Sequence, residues 1–111
     1  MSFKVNFFVN AGATFTRELT YFTPEGDLFD LTGYTARLQV RENIFAEQAV
    51  IDITPTIDTE NSTITWSFLA TDTANLDREK YIYAMEISNA SNGNVIRLID
   101  GDVTISPKVV R

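Results

Sequence analysis

Polar and apolar residues alternate along most of the chain. The segment FDLTGYTARLQVRE, residues 29–42, shows the pattern most clearly, because Ala36, Leu38 and Val40 share one side with Tyr34 while Thr35 and the basic and amide residues share the other. Successive side chains of a β-strand point to opposite faces, so a period of two predicts a strand with one buried face.

The same alternation recurs in six further segments, which are 3–9, 13–23, 49–54, 63–68, 80–88 and 95–106. We expect the last of these to carry a bulge near Asp100-Gly101. One piece, ATDTANLD at 70–77, is helix-like, with Thr71 or Asp72 as a candidate cap. About seven strands at this spacing predict an all-β protein, an immunoglobulin-like antiparallel β-sandwich, with a small closed barrel as the alternative.

The connections between these strands have the composition of turns and loops. PEGD at 24–27 and NASNGN at 89–94 predict turns, and ENIFAEQ at 42–48 predicts a loop or edge excursion. With 111 residues and neither an internal repeat nor a low-complexity tract, we expect one domain spanning 1–111.

Two aromatic residues fit the sandwich. Trp66 lies in mid-strand among small residues, as expected of a core residue. Tyr81 follows the helix-like piece and begins the penultimate strand, the position of a tyrosine corner. Ordinary core packing would explain both residues equally well.

The charge and composition disfavour several classes of partner. The net charge is −6 and the chain has no cysteine. An acidic surface repels phosphate groups, so we expect neither nucleic acid nor an anionic membrane as a partner. The apolar N-terminal segment is broken by Asn6 and Asn10, which is a strand pattern and not that of a signal peptide. We therefore expect a soluble protein that folds in a reducing cytoplasm.

The residue types needed for most catalysis are missing. Without histidine or cysteine, the chain cannot build a Ser-His or Cys-His nucleophile system. The acidic pairs, such as Asp27 with Asp30, lie at predicted turns, where carboxylates bind backbone N–H groups. Calcium ligation by 58–61 or 100–102 is a weak alternative, because an EF-hand loop would need a glycine and a distal glutamate. We expect no enzymatic activity, no cofactor and no metal.

With catalysis, nucleic acid and membranes disfavoured, the remaining candidate function is contact with other proteins. The predicted outward positions place apolar residues beside arginine, which is the composition of an interface. The candidate interface residues are Phe8, Ile44, Phe45, Ile82, Ala84, Arg97 and Ile99. A glycan-binding face is the alternative, although Trp66, Tyr81 and Tyr83 are all predicted to face inward.

Three stretches give the chain a family resemblance: DLTGYTARLQVRE, LDREKYIYAMEIS and VIRLIDGDVTISPKVVR. In their order and spacing the chain resembles small immunoglobulin-like virion structural proteins of tailed bacteriophages, including the N-terminal domain type of baseplate and tail-fibre proteins. The chain departs from these proteins at one place. They usually have Pro or Gly just before the Tyr-x-Tyr strand, whereas this chain has Asp-Arg-Glu-Lys at 77–80.

The resemblance implies a non-enzymatic protein of the virion that docks on other virion structural proteins in the tail, baseplate or neck. Capsid decoration and host-glycan binding are the alternatives. The resemblance leaves self-association, copy number and position on the particle open.

Overall fold

A computed structural model describes residues 3–107, which form nine β-strands and one helical turn. In chain order they are β1 (Phe3–Lys4), β2 (Phe7–Asn10), β3 (Phe15–Thr20), β4 (Tyr34–Arg41), β5 (Ile51–Ile53), β6 (Thr56–Asp58), β7 (Thr63–Phe68), α1 (Ala70–Ala74), β8 (Lys80–Asn89) and β9 (Asn94–Ser106). The predicted all-β class is confirmed. The remaining residues of the predicted 1–111 domain, 1–2 and 108–111, lie outside the described part, and so does the end of the third resemblance stretch.

The strands form two sheets packed face to face. The larger sheet has the order β1-β9-β8-β4-β5, with β2 also beside β9, and the smaller sheet has the order β3-β7-β6. All pairs are antiparallel except those that β1 and β2 make with β9. This is the strand distribution of an immunoglobulin-type sandwich, so the predicted fold is confirmed.

Nine strands replace the predicted seven for two local reasons. The first strand is split at Val5 and Asn6, where the chain crosses from one part of β9 to the next. The additional strand β6 has three residues directly after Pro55, a length too short for alternation to reveal.

The inner faces of the two sheets meet in an aromatic core. Phe7 stacks on Tyr83 at 4.6 Å between ring centroids and lies 6.0 Å from Trp66 and 5.3 Å from Phe15. Trp66 is 4% exposed, so its predicted burial is confirmed. Residues of both sheets and of the first strands thus share one core.

The prediction that Ile99 faces outward was wrong. Glu86 pairs with Arg97 whereas its neighbour Met85 pairs with Ile99, so Leu98 is an extra residue in β9. This bulge lies before the expected site at Asp100-Gly101, and it reverses the side on which the following residues point. Leu98 and Ile99 are both 2% exposed and belong to the core.

The connection from β7 to β8 holds the predicted tyrosine corner. The Tyr81 hydroxyl accepts a hydrogen bond from the Arg78 backbone N–H at 3.0 Å and donates to Asp77 Oδ1 at 3.2 Å.

The cap prediction for α1, which named Thr71 or Asp72, was wrong. Its N-cap is Leu69, and Asp72 sits one turn inside with its carboxylate accepting from the Leu69 N–H at 3.3 Å. Among residues 3–107 this single turn is the whole helical content, far too short to cross a membrane.

Candidate functional site: the outer face of the larger sheet

The outer face of the larger sheet has small side chains at its centre and long charged ones around them. On β8, the outward residues Ile82 and Ala84 are half-buried. Ile82 pairs with Arg41 of β4 and Asp102 of β9, and Ala84 pairs with Gln39 of β4 and Asp100 of β9. The difference in side-chain length creates a shallow depression of about 420 Å³ with an apolar floor, which we call the central depression.

On the β4–β5 side, hydrogen bonds fix the wall of the central depression. Arg37 donates to Asp52 through Nε at 3.1 Å and Nη2 at 2.7 Å, and Gln39 donates to the same carboxylate at 3.0 Å. The Arg37 hydrogen bond lowers the pKa of Asp52, with a smaller contribution from Gln39. Asp52 is therefore ionised at neutral pH and already bound to Arg37.

On the β9 side, the charges form three ion pairs, two of them across strands and one within β9. Lys4 of β1 lies 3.1 Å from Asp100, Arg97 lies 3.7 Å from the same carboxylate, and Lys80 lies 3.8 Å from Asp102. The Lys80–Asp102 pair is exposed on both sides and contributes about 0–1 kcal/mol to stability, whereas the Asp100 side chain is only 14% exposed. The effect of the three pairs is to surround the apolar floor with a polar rim whose charges are largely balanced.

Arg41 is bound differently from the other basic residues of this face. Its Nη1 donates to the Ala46 carbonyl at 2.8 Å and its Nη2 donates to Gln39 Oε1 at 2.8 Å. These acceptors are neutral, and among the described residues no carboxylate forms an ion pair with Arg41. Arg41 is half-buried and lines the central depression, where it contacts no carboxylate of residues 3–107 directly, although Asp52 attracts it at longer range.

The loop after β4 presents two large apolar side chains beside the central depression. Arg41 holds this loop by its hydrogen bond to the Ala46 carbonyl. Asn43 closes the turn: its side-chain Oδ1 accepts from the Phe45 backbone N–H at 2.9 Å, and its carbonyl accepts from the Ala46 N–H at 3.2 Å. Ile44 lines the central depression and is 73% exposed, and Phe45 is 85% exposed. A hydrogen-bonded loop that holds apolar residues in solvent is the arrangement expected of a binding surface.

The structure places six of the seven predicted interface residues at this face or on the adjoining loop. Phe8 is 76% exposed on β2, beside Thr104. Arg97 is exposed on β9, and Ile82 and Ala84 form the floor. Ile99 lies in the core instead. The sequence prediction missed the importance of Arg41, because alternation shows that it points outward but does not show which residues pair with it.

The carboxylates considered as calcium ligands have other partners: Asp100 and Asp102 form ion pairs with basic side chains, and Asp58 forms local hydrogen bonds. Asp58 Oδ1 accepts from the Glu60 backbone N–H at 3.0 Å, and Oδ2 accepts from the Asn61 amide at 2.9 Å. The Asn61 hydrogen bonds lower the pKa of Asp58, which keeps the carboxylate charged as a turn acceptor. Within residues 3–107, no group of three or more Asp, Glu, His or Cys residues is arranged to hold a metal ion.

Comparison with known proteins adds no family: no family model matches the chain, and no curated protein matches it.

Proposed function

We propose that this chain is a non-enzymatic structural protein of a tailed-bacteriophage particle, which docks on other particle proteins in the tail, baseplate or neck through the outer face of its larger sheet. One observation carries the docking role. Phe8, Ile44 and Ile82 come from distant parts of the sequence, yet the fold places the exposed Phe8 and Ile44 and the half-buried Ile82 on one outer face. The particle context is supported by the sequence resemblance.

The composition of the face suits protein binding. Interface centres favour apolar side chains and exclude unpaired charge, and their rims are polar. Full burial of a side chain such as Ile44 or Phe45 contributes about 1.5–3 kcal/mol. A few such residues, together with the half-buried Ile82, provide enough apolar surface to offset part of the entropy lost on association.

The test separates docking from folding. Ile82→Asp and Phe45→Asp each place a carboxylate where the partner would exclude water, which costs several kcal/mol on docking. We expect both variants to lose incorporation into particles. Phe45→Asp should also melt within a few degrees of the unmodified protein, because Phe45 is 85% exposed before assembly.

The matched control is Leu69→Asp. Leu69 is also large, apolar and 59% exposed, but it follows β7 of the smaller sheet. We expect Leu69→Asp to be incorporated normally. Normal incorporation of both Ile82→Asp and Phe45→Asp would contradict docking through this face.

The two alternatives predict other results. A capsid decoration protein would use the same chemistry at another place on the particle, at a far higher copy number. A glycan-binding module would use exposed aromatic rings, but Trp66, Tyr81 and Tyr83 are buried at 4%, 2% and 3% exposure. Glycan-array binding that disappears in Phe8→Ala or Phe45→Ala would favour this last alternative.

A further inference from the structure

A small hairpin between β3 and β4 exposes a second apolar surface. Phe22 and Leu28 form an isolated antiparallel bridge, and the Thr23 N–H donates to the Asp27 carbonyl at 2.7 Å. The Gly26 N–H closes the tip by donating to the Thr23 carbonyl at 2.9 Å. Paired residues of a hairpin point to the same side, so Phe22 and Leu28, which are 52% and 48% exposed, form one apolar face.

The 22–28 hairpin is also acidic. Glu25 and Asp27 are exposed at its tip, and the sequence from 18 to 36 contains no lysine or arginine. The neighbouring 58–62 turn adds further carboxylates. Ser62 of that turn donates to the carbonyls of Tyr21 and Phe29, which flank the hairpin, at 2.8 and 2.7 Å. The hairpin therefore combines apolar side chains with carboxylates that form no ion pair within the described part of the chain, residues 3–107.

These features complement the central depression. The depression has an apolar floor at Ile82, an apolar wall at Ile44, and in Arg41 a guanidinium bound only to neutral acceptors among the described residues. Arginine binds carboxylates through its fork of N–H donors, and such charge-assisted hydrogen bonds are stronger than neutral ones. A carboxylate next to an apolar side chain would satisfy both parts of the depression.

The hairpin and the central depression of one molecule cannot meet. The hairpin precedes the start of β4, while Arg41 stands at the far end of this eight-residue strand. At about 3.3 Å per residue the two ends of β4 are roughly 25 Å apart. The sheet between them is continuous, so the occupant that fits is the hairpin of another molecule.

We propose that copies of this chain associate head to tail, with the 22–28 hairpin of one copy in the central depression of the next. Glu25 or Asp27 binds Arg41, and Phe22 and Leu28 cover Ile44 and Ile82. Because the two contacting surfaces differ, the association is heterologous and builds a ring or an open chain. The proposal rests on the proposed function in using the same docking face, and it names a second copy as one partner.

The contact is small, so the association should be weak. A seven-residue hairpin on a shallow surface falls in the class below about 1,200 Å², which is typical of transient complexes. We expect sedimentation velocity to show an average mass that rises with concentration between about 10 µM and about 1 mM, the range for weak interfaces. The rise should diminish in about 1 M salt, where the Debye length is about 3 Å.

Two sets of variants test the geometry. Glu25→Lys with Asp27→Lys reverses the charge of the hairpin, and within residues 3–107 neither exposed side chain forms an ion pair that folding would need. Ile44→Asp places a charge in the depression at a residue that is 73% exposed, and Arg41→Glu reverses the charge of the anchor. Each variant alone should stay monomeric across the concentration series.

Mixing distinguishes head-to-tail contact from a symmetric dimer. The hairpin variant keeps its depression, and Ile44→Asp keeps its hairpin, so an equimolar mixture should form dimers and stop there. The control, Glu18→Lys with Glu79→Lys, changes the net charge equally at exposed positions that neither belong to the 22–28 hairpin nor line the central depression, and it should associate like the unmodified protein.

The outcomes separate this proposal from the proposed function. An unmodified protein that is monomeric up to about 1 mM refutes head-to-tail association, and so does association that survives both sets of variants, or a mixture that stays monomeric. If, in any of these cases, Ile82→Asp still abolishes incorporation into particles, docking through the face stands and only the second copy as partner is refuted. If association occurs as described but incorporation is normal in Ile82→Asp and Phe45→Asp, the proposed function fails instead.

Discussion

Gly101→Ala tests how the N-terminal strands are held to the sandwich. Gly101 lies on β9 between the residues that pair with β1 and those that pair with β2. It is therefore next to Val5 and Asn6, where the chain passes from β1 to β2. A Cβ at this position would overlap the Val5 carbonyl oxygen and lie 2.7 Å from Asn6 Oδ1. The overlapping atom is backbone, so it cannot move away by a change of side-chain rotamer, and the crossing itself must shift.

The expected loss in the free energy of unfolding can be worked out from the hydrogen bonds at Val5 and Asn6. Three hydrogen bonds fix this crossing: the Val5 N–H to the Asp100 carbonyl at 2.9 Å, the Asp102 N–H to Asn6 Oδ1 at 3.0 Å, and the Tyr83 hydroxyl to the Val5 carbonyl. At about 1 kcal/mol each they contribute about 3 kcal/mol. Overpacking adds about 1–3 kcal/mol. We expect Gly101→Ala to lose about 4–6 kcal/mol of a total stability of about 5–15 kcal/mol.

The matched control for Gly101→Ala is Gly93→Ala. Gly93 has a φ of +73°, but a Cβ there would meet nothing within 4 Å. Its substitution should cost only the strain of the left-handed conformation, about 1–2 kcal/mol. Urea denaturation followed by tryptophan fluorescence measures both losses. Equal losses for the two variants would refute the close-contact argument.

The remaining predictions concern the core, the tyrosine corner and the acid range. Trp66→Ala should cost about 3–5 kcal/mol, because Trp66 is 4% exposed, and a melting temperature within a few degrees of the original would contradict its place in the core. Tyr81→Phe should cost about 1 kcal/mol in urea denaturation through loss of the hydrogen bond from Arg78, and no loss would deny the corner a stabilising role. The lowered pKa of Asp52 predicts that its contribution is complete above the ordinary carboxyl pKa of about 3.9 and disappears as pH falls through the lower folded-state value. The urea midpoint of Asp52→Asn should therefore vary less below about pH 4 than that of the unmodified protein, and parallel acid profiles would contradict this assignment.

The alternation of residue types predicted the strands with strictly one-sided burial. β4 and β8 each bury every second residue, from Ala36 to Val40 and from Tyr81 to Ile87, so a single period of two locates them and their inner faces. The exposed loop residues Ile44 and Phe45 were also identified, because apolar residues stood there outside any alternating segment.

The sequence could not predict the bulge in β9. The run from Val95 to Ile99 has apolar residues at both odd and even positions, so either side could be taken as the inner one. The extra residue, Leu98, is defined only by pairing with β8, which is a tertiary contact. For this reason alternation alone predicts Ile99 at the surface, whereas in the structure it is buried.

The central depression was likewise beyond the sequence. Its wall depends on which charges face each other across strands, such as Arg37 with Asp52, 15 positions later. The pairing of the Arg41 guanidinium with neutral acceptors depends on where the fold places the Ala46 carbonyl and the Gln39 side chain. Such arrangements follow from register and loop geometry, which alternation within a single strand does not specify.

The proposed role requires the chain to be a structural component of a virus particle. Quantitative mass spectrometry of purified particles, with isotope-labelled peptides of this chain as the standard, tests it most directly. We expect a fixed number of copies per particle that stays constant through repeated purification, with a few to tens indicating the tail or neck and hundreds indicating the capsid. A copy number that falls towards zero as the particles are purified would contradict the claim.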